Sequence, residues 1–176
     1  DYKGLQYLIK AEPLITKAIP NVRIIIAGEG DDFEQYRQLM VHPERFEVHN
    51  AFISTPLRDE LFSRASIVVL PYIEATQSGV IPLAYSFAKP VVATRVGALA
   101  DAVDDGVTGR LVPARDTVAL ANAVVEMLTN AAACREMGLA GRRKLDAEWS
   151  PQAVGQRSME VYRRAIRDRQ PATQNV

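Results

Sequence analysis

The feature that most restricts this chain's fold is a set of short β-branched runs that have no polar face. Val22-Arg23-Ile24-Ile25-Ile26-Ala27 and Ser66-Ile67-Val68-Val69-Leu70 are apolar at almost every position, and Pro90-Val91-Val92-Ala93-Thr94 repeats the pattern. A strand with one wet face alternates polar and apolar residues, whereas a parallel strand covered on both faces reads as a nearly continuous apolar run. Phe46-Glu47-Val48 and Thr108-Gly109-Arg110-Leu111-Val112 are shorter strand segments.

Helical patterns lie between these runs. In residues 4–18, Leu5, Leu8, Ile9, Leu14 and Ile15 recur close to a 3.6 period, with Pro13 as a bend and Pro20-Asn21 as the stop. Residues 33–40, 56–64, 79–87 and 99–104 read as further helices, and 117–128, 131–145 and 151–167 close the chain, with Asp116 or Thr117 as an N-cap. Strand–helix alternation with strands this apolar predicts a doubly wound, Rossmann-like parallel α/β sheet. Its right-handed crossovers set helices on both faces, and the loops at the carboxyl ends of the strands form the ligand crevice. Such a sheet begins with a strand, and this chain opens on a helix, so the first strand is expected upstream. Residues 1–169 form the expected domain, and 170–176 a disordered tail.

Three crevice loops carry the functional signal. In "PYIEATQSGVIPLAYSFAKPVVAT", a strand ends, a polar loop turns on Gly79, and a helix starts. A helix start at Ser78 or Gly79 would present the backbone N–H groups of Gln77, Ser78, Gly79, Val80 and Ile81, with the positive end of its dipole, to an anion such as phosphate. Read alone, the segment fits a plain strand–helix turn at least as well. Gly28 and Gly30 in Ala27-Gly28-Glu29-Gly30 form a second loop, which lacks the third glycine of a dinucleotide fingerprint. Arg95-Val96-Gly97-Ala98 is the third. Lys3 at a helix start suits a nearby anion, and Glu74 at the crevice lip suits sugar hydroxyls; as surface charges, each is equally unremarkable.

Composition narrows the partners. Lys+Arg and Asp+Glu are both 21, which argues against nucleic acid or a strongly anionic membrane. The lone Cys134 reads as a packing residue, and with only His42 and His49 beside it a structural zinc site is not expected. Neither histidine has an acidic or serine partner at a spacing that suggests catalysis. The apolar runs fall far short of the ~20 residues of a membrane span, and no signal peptide is visible, so a cytoplasmic setting is expected.

"KGLQYLIKA", "NVRIIIAGEGDD", "SIVVLPYIEATQSGVIPLAYSFAKPVVATRVGALADAVDDGVTGRLVPARD" and the "EWS" before the last helix together resemble the C-terminal domain of retaining glycosyltransferases of the GT-B fold, family 4 (group 1). The resemblance covers nearly the whole chain in order. It implies transfer of a sugar from a nucleotide-diphospho-sugar donor with retention of configuration, and neither a cofactor nor a metal. It implies that Lys3 contacts the donor diphosphate, that Gln77, Ser78 and Gly79 with the backbone of Val80 and Ile81 cradle it, and that Glu74 holds the sugar. Gly28 and Gly30 would lie beside the nucleotide, and Phe52 and Ile53 would line the base pocket. The family's upstream Arg lies outside this chain. Its pattern also carries two glutamates here: aligned from Pro90, the second falls on Leu83 and the first on Ala75, with Glu74 one place away. The ribose contact is therefore altered.

The acceptor, whether glycan, lipid or small molecule, would meet an N-terminal domain of the same protein. That domain would also supply any peripheral membrane association, at the inner face. The last helix would cross toward it, and this chain alone would bind nucleotide weakly and transfer nothing. Two other readings stay open: a non-catalytic nucleotide-binding or assembly module, and half of a GT-B-type UDP-sugar 2-epimerase.

Overall fold

A computed structural model describes residues 2–30 and 33–169, so the expected disordered tail lies outside the described residues. β4 (Val91–Thr94) shows what the apolar runs are for: all four of its residues are buried. Val92 packs with α1 (Leu5–Ala18) and α6 (Thr117–Thr129). Val91 and Ala93 pack on the other face, with residues of α4 (Val80–Ser86) and α5 (Leu99–Ala102). Successive side chains of a strand point to opposite faces, so two helical layers require an apolar residue at every position.

β3 (Val68–Leu70) and β5 (Gly109–Val112) flank β4, both parallel to it. β1 (Ile24–Ala27) and β2 (Phe46–His49) form a second parallel pair, with Ile24 opposite Phe46. The doubly wound α/β class therefore stands, but the sheet is in two pieces, β1–β2 and β3–β4–β5. β1 and β3 were expected to be buried as fully as β4. Instead Ile25, Ile26, Val68 and Val69 are only partly covered, because these two strands border a cleft rather than each other.

Helix ends follow local chemistry. Asp116 caps α6 by accepting a hydrogen bond from the Ala119 N–H at 2.8 Å. α2 (Phe33–Arg37) stops earlier than residue 40; the chain turns there, and Met40 is buried in a small cluster with Ile9 and Phe33. α3 (Thr55–Arg64) begins with Pro56 in its first turn, where a missing N–H costs nothing. α7 (Ala131–Lys144) runs into one π turn, Leu145–Trp149, before α8 (Pro151–Arg169).

Gly141 of α7 sits against Tyr85, where a Cβ would come within 2.4 Å of the ring. Tyr85 stacks on Trp149, with centroids 5.9 Å apart, and its hydroxyl donates to Thr108 Oγ1 at 2.7 Å. Burial pushes the Tyr85 pKa up to about 12. Cys134 is buried, as a packing residue should be. α8 leaves Val154, Val161, Tyr162 and Ile166 exposed. Among the described residues, no single helix is long and apolar enough to cross a membrane.

Candidate functional site

The site forms where three short segments lock together above the carboxyl ends of β3 and β4. Gly4 adopts φ +64°, and a Cβ there would lie 2.0 Å from the Pro71 carbonyl oxygen. Only glycine tolerates both the backbone and the closeness. The Ile73 N–H donates to the Tyr2 carbonyl at 2.8 Å, and the Tyr2 and Tyr72 rings meet edge to face at 5.9 Å. From the other side, Thr94 Oγ1 donates to the Tyr72 carbonyl. Gly97, at φ +46°, approaches so closely that a Cβ would fall 1.6 Å from the Ala75 carbonyl oxygen. The elbow after β3 is thus held on both flanks by contacts that admit no side chain.

Its tip is different. Glu74, Thr76 and Gln77 are exposed and have no hydrogen bond or ion pair among the described residues. With Tyr2, Ile73, Val96 and Gly97 they line an open depression. The backbone N–H groups of Gln77, Ser78 and Gly79 likewise have no partner among the described residues, and nothing lies within 4 Å of where a Gly79 Cβ would be. One of the five expected donors is already engaged, since the Val80 N–H bonds to Ser78 Oγ at 3.2 Å. Ile81 turns its side chain into the core, 1% exposed, and offers the site main chain only.

Lys3 lies on the neighbouring cleft, together with Gly28, Glu29, Gly30, Asn50 and Val80. Its ammonium is 6.0 Å from the Tyr2 ring centroid. The Gly28 N–H donates to the His49 carbonyl at 3.1 Å, and the Gly30 N–H to Asn50 Oδ1 at 2.9 Å; Asn50 Nδ2 returns a bond to the Gly30 carbonyl at 3.1 Å. Both glycine amides are therefore occupied and are not free as donors. Asn50 went unnoticed in the sequence. A side chain able to bond backbone on both sides, placed directly after a strand, was the available signal.

Phe52 and Ile53 line neither hollow, and Phe52 is 83% exposed. Leu83 lies on α4. The histidines serve structure: His42 Nδ1 is 2.9 Å from Glu12 Oε1, and His49 Nε2 is 2.8 Å from Glu47 Oε1. No group of three or more His, Cys, Asp or Glu side chains among the described residues is placed to hold a metal ion.

A parallel, doubly wound α/β layer with glycine elbows at its carboxyl edge defines the chain as a Rossmann-like domain. Residues 1–130 match the family model described as "Glycosyl transferases group 1", and the chain belongs to that family. It is 31% identical over 167 residues to a phosphatidyl-myo-inositol mannosyltransferase of Mycobacterium leprae, covering 91% of this chain and 42% of that protein. Among solved structures it resembles sucrose-phosphate synthase from Thermosynechococcus elongatus, with a TM-score of 0.81, 25% identity, and 95% of this chain and 43% of that chain covered. Anabaena HepE, solved with UDP, shares the fold at a TM-score of 0.78 and 20% identity over 92% of this chain and 45% of that chain. The chain thus spans about two fifths of the length of the relatives it matches, 42% in the mannosyltransferase.

Proposed function

We propose that this chain is the donor-binding half of a retaining, hexosyl-type glycosyltransferase that takes a nucleotide-diphospho-sugar and requires no metal or cofactor. The observation that carries the reading is the contrast within the elbow: both flanks are locked by glycine contacts and hydrogen bonds, while the donors and carboxylate at its tip have no partner among the described residues. Groups fixed in place but unsatisfied are what stabilises charge developing on a leaving diphosphate, since they need no reorganisation during bond cleavage. UDP in the Anabaena structure supports a nucleoside diphosphate as the occupant.

In this reading, Lys3 and the amides of Gln77, Ser78 and Gly79 meet the diphosphate, with Val80 and Ile81 forming the helix behind them. Glu74 orients sugar hydroxyls. Gly28 and Gly30 leave room for the nucleotide, and exposed Phe52 with Ile53 covers the base once a donor is bound. Leu83 cannot accept a hydrogen bond from a ribose, which weakens donor binding by the loss of one such contact, about 1.5–3 kcal/mol for a charged acceptor. The acceptor, a glycan, lipid or small molecule, is bound by an N-terminal domain of the same protein, so the 176-residue chain alone has no turnover. We place the whole enzyme in the cytoplasm, at the inner membrane face where its acceptor is a lipid. Leu83 also favours a second reading, a nucleotide-binding module without catalysis.

A thermal-shift and calorimetric screen of UDP-, GDP- and ADP-sugars tests this. One donor should stabilise the protein, and Lys3→Ala and Glu74→Ala should each weaken it roughly tenfold or more, about 1.4 kcal/mol. A donor whose binding ignores both substitutions would refute the residue roles.

A further inference from the structure

The loop after β1 repeats the contrast seen in the elbow: backbone fixed on both sides of one side chain that has no partner. The β1–β2 ladder ends by pairing Ala27 with His49, and the Gly28 N–H adds one rung by donating to the His49 carbonyl at 3.1 Å. Gly28 takes φ +141°, a backbone that side chains rarely adopt. Where the main-chain ladder stops, Asn50 continues it with its side chain. Its Oδ1 accepts from the Gly30 N–H at 2.9 Å, and its Nδ2 donates to the Gly30 carbonyl at 3.1 Å. A carboxamide carries the donor and the acceptor that such a two-bond ring needs, whereas a carboxylate carries acceptors only. Glu29 lies between these two anchored glycines. It is exposed and has no hydrogen bond or ion pair among the described residues.

Glu29 lines the same hollow as Lys3 and Val80, the first residue of α4. In the proposed function Lys3 and the start of α4 meet the donor diphosphate, and the ribose is the part of the donor joined directly to it. Chemistry decides which part a carboxylate can hold. The diphosphate offers only acceptors and negative charge, which a carboxylate repels. The ribose offers two vicinal hydroxyls, each able to donate to a carboxylate oxygen. The roles given to Lys3, the elbow, Glu74, Phe52 and Ile53 leave those hydroxyls without an acceptor, and the apolar Leu83 supplies none.

We propose that Glu29 is the ribose-binding residue of this site, accepting from the 2′- and 3′-hydroxyls of a nucleoside diphosphate, and that Asn50 is the positioning residue that holds its loop. The inference rests on the nucleotide-sugar reading and names the one acceptor that reading lacks.

Calorimetry on the full chain tests it, with UDP, GDP and ADP and, for whichever binds, the matching 2′-deoxy and 3′-deoxy nucleotides. The native protein should bind at least one deoxy form about tenfold or more weaker than the ribose form. In Glu29→Ala the ribose form should weaken by a similar factor, and ribose and deoxy forms should then bind within about twofold of each other, the mark of two groups in direct contact. Asn50→Ala should narrow the ratio in the same direction. Lys3→Ala should weaken both forms alike and preserve the ratio, because the diphosphate is common to both. A native protein indifferent to the ribose hydroxyls, or a ratio unchanged in Glu29→Ala, would overturn the proposal while leaving the nucleotide-sugar reading in place. So would a loss in Glu29→Ala that follows the base instead of the hydroxyls. A ratio unchanged in Asn50→Ala would overturn its positioning role. Failure of all three nucleotides to bind would sink the nucleotide-sugar reading itself, and this inference with it.

Discussion

Glu12 carries the largest single-residue demand in this domain. Its side chain is 0% exposed, and its oxygens are satisfied by Thr16 Oγ1 and by His42 Nδ1, whose ring is 41% exposed. A buried carboxylate that loses a partner retains the full cost of its desolvation. His42→Ala should therefore lower stability by about 1–3 kcal/mol in urea unfolding, and adding Glu12→Gln should recover part of the loss, since a neutral amide is cheaper to bury. If His42→Ala were silent, the pairing would have no energetic role. Both histidines, which sequence spacing left without partners, are thus accounted for by carboxylates distant in the chain or on the same strand.

Between elements, the most consequential tie is Glu47 of β2 to Arg64 of α3. Arg64 reaches the carboxylate through both terminal nitrogens, with Nη1 3.0 Å from Oε1, and His49 adds a contact at 2.8 Å. Arg64 first, then His49, lowers the Glu47 pKa from the ordinary 4.5 to about 2. A carboxylate with a depressed folded-state pKa stabilises the fold above its unfolded value, and that contribution fades as pH falls toward the folded one. With Glu47 34% exposed, solvent screening holds the effect to about 1 kcal/mol or less. Urea midpoints followed from pH 5 to pH 2 should fall more steeply for the native chain than for Glu47→Gln, and parallel curves would rule the tie out.

At the scale of the whole molecule, α8 stands apart. Among elements with more than incidental contacts it touches only the π turn before it, and Val154, Val161, Tyr162 and Ile166 face solvent. Exposed substitutions away from packed contacts usually change stability by ±0.5 kcal/mol or less. Val161→Asp and Ile166→Asp should therefore leave the melting temperature of the 176-residue chain within about 2 °C, on a scale of roughly 2–4 °C per kcal/mol for a domain of this size. A larger drop would mean that this face is covered in solution.

The fold class was legible because burial between two helical layers is a local requirement. It removes polar residues from consecutive positions, and β4 obeys it in full. The turn at Gly79 and the helix start after Gly4 could be read for a similar reason: turns and helix starts have short-range signatures. What the chain order could not show is distance. Asn50 bonding to Gly30, Thr94 to Tyr72, Gly97 against Ala75 and Glu12 with His42 all join residues that periodicity treats as unrelated. The engaged Val80 amide, the occupied amides of Gly28 and Gly30, and the division of the sheet at β1 and β3 were likewise decided in three dimensions. Sequence by itself determined which segments must be buried and where the chain must turn. Tertiary structure alone decided which polar groups meet and which stay without a partner among the described residues, because a hydrogen bond depends on ångström-scale placement that no one-dimensional pattern carries.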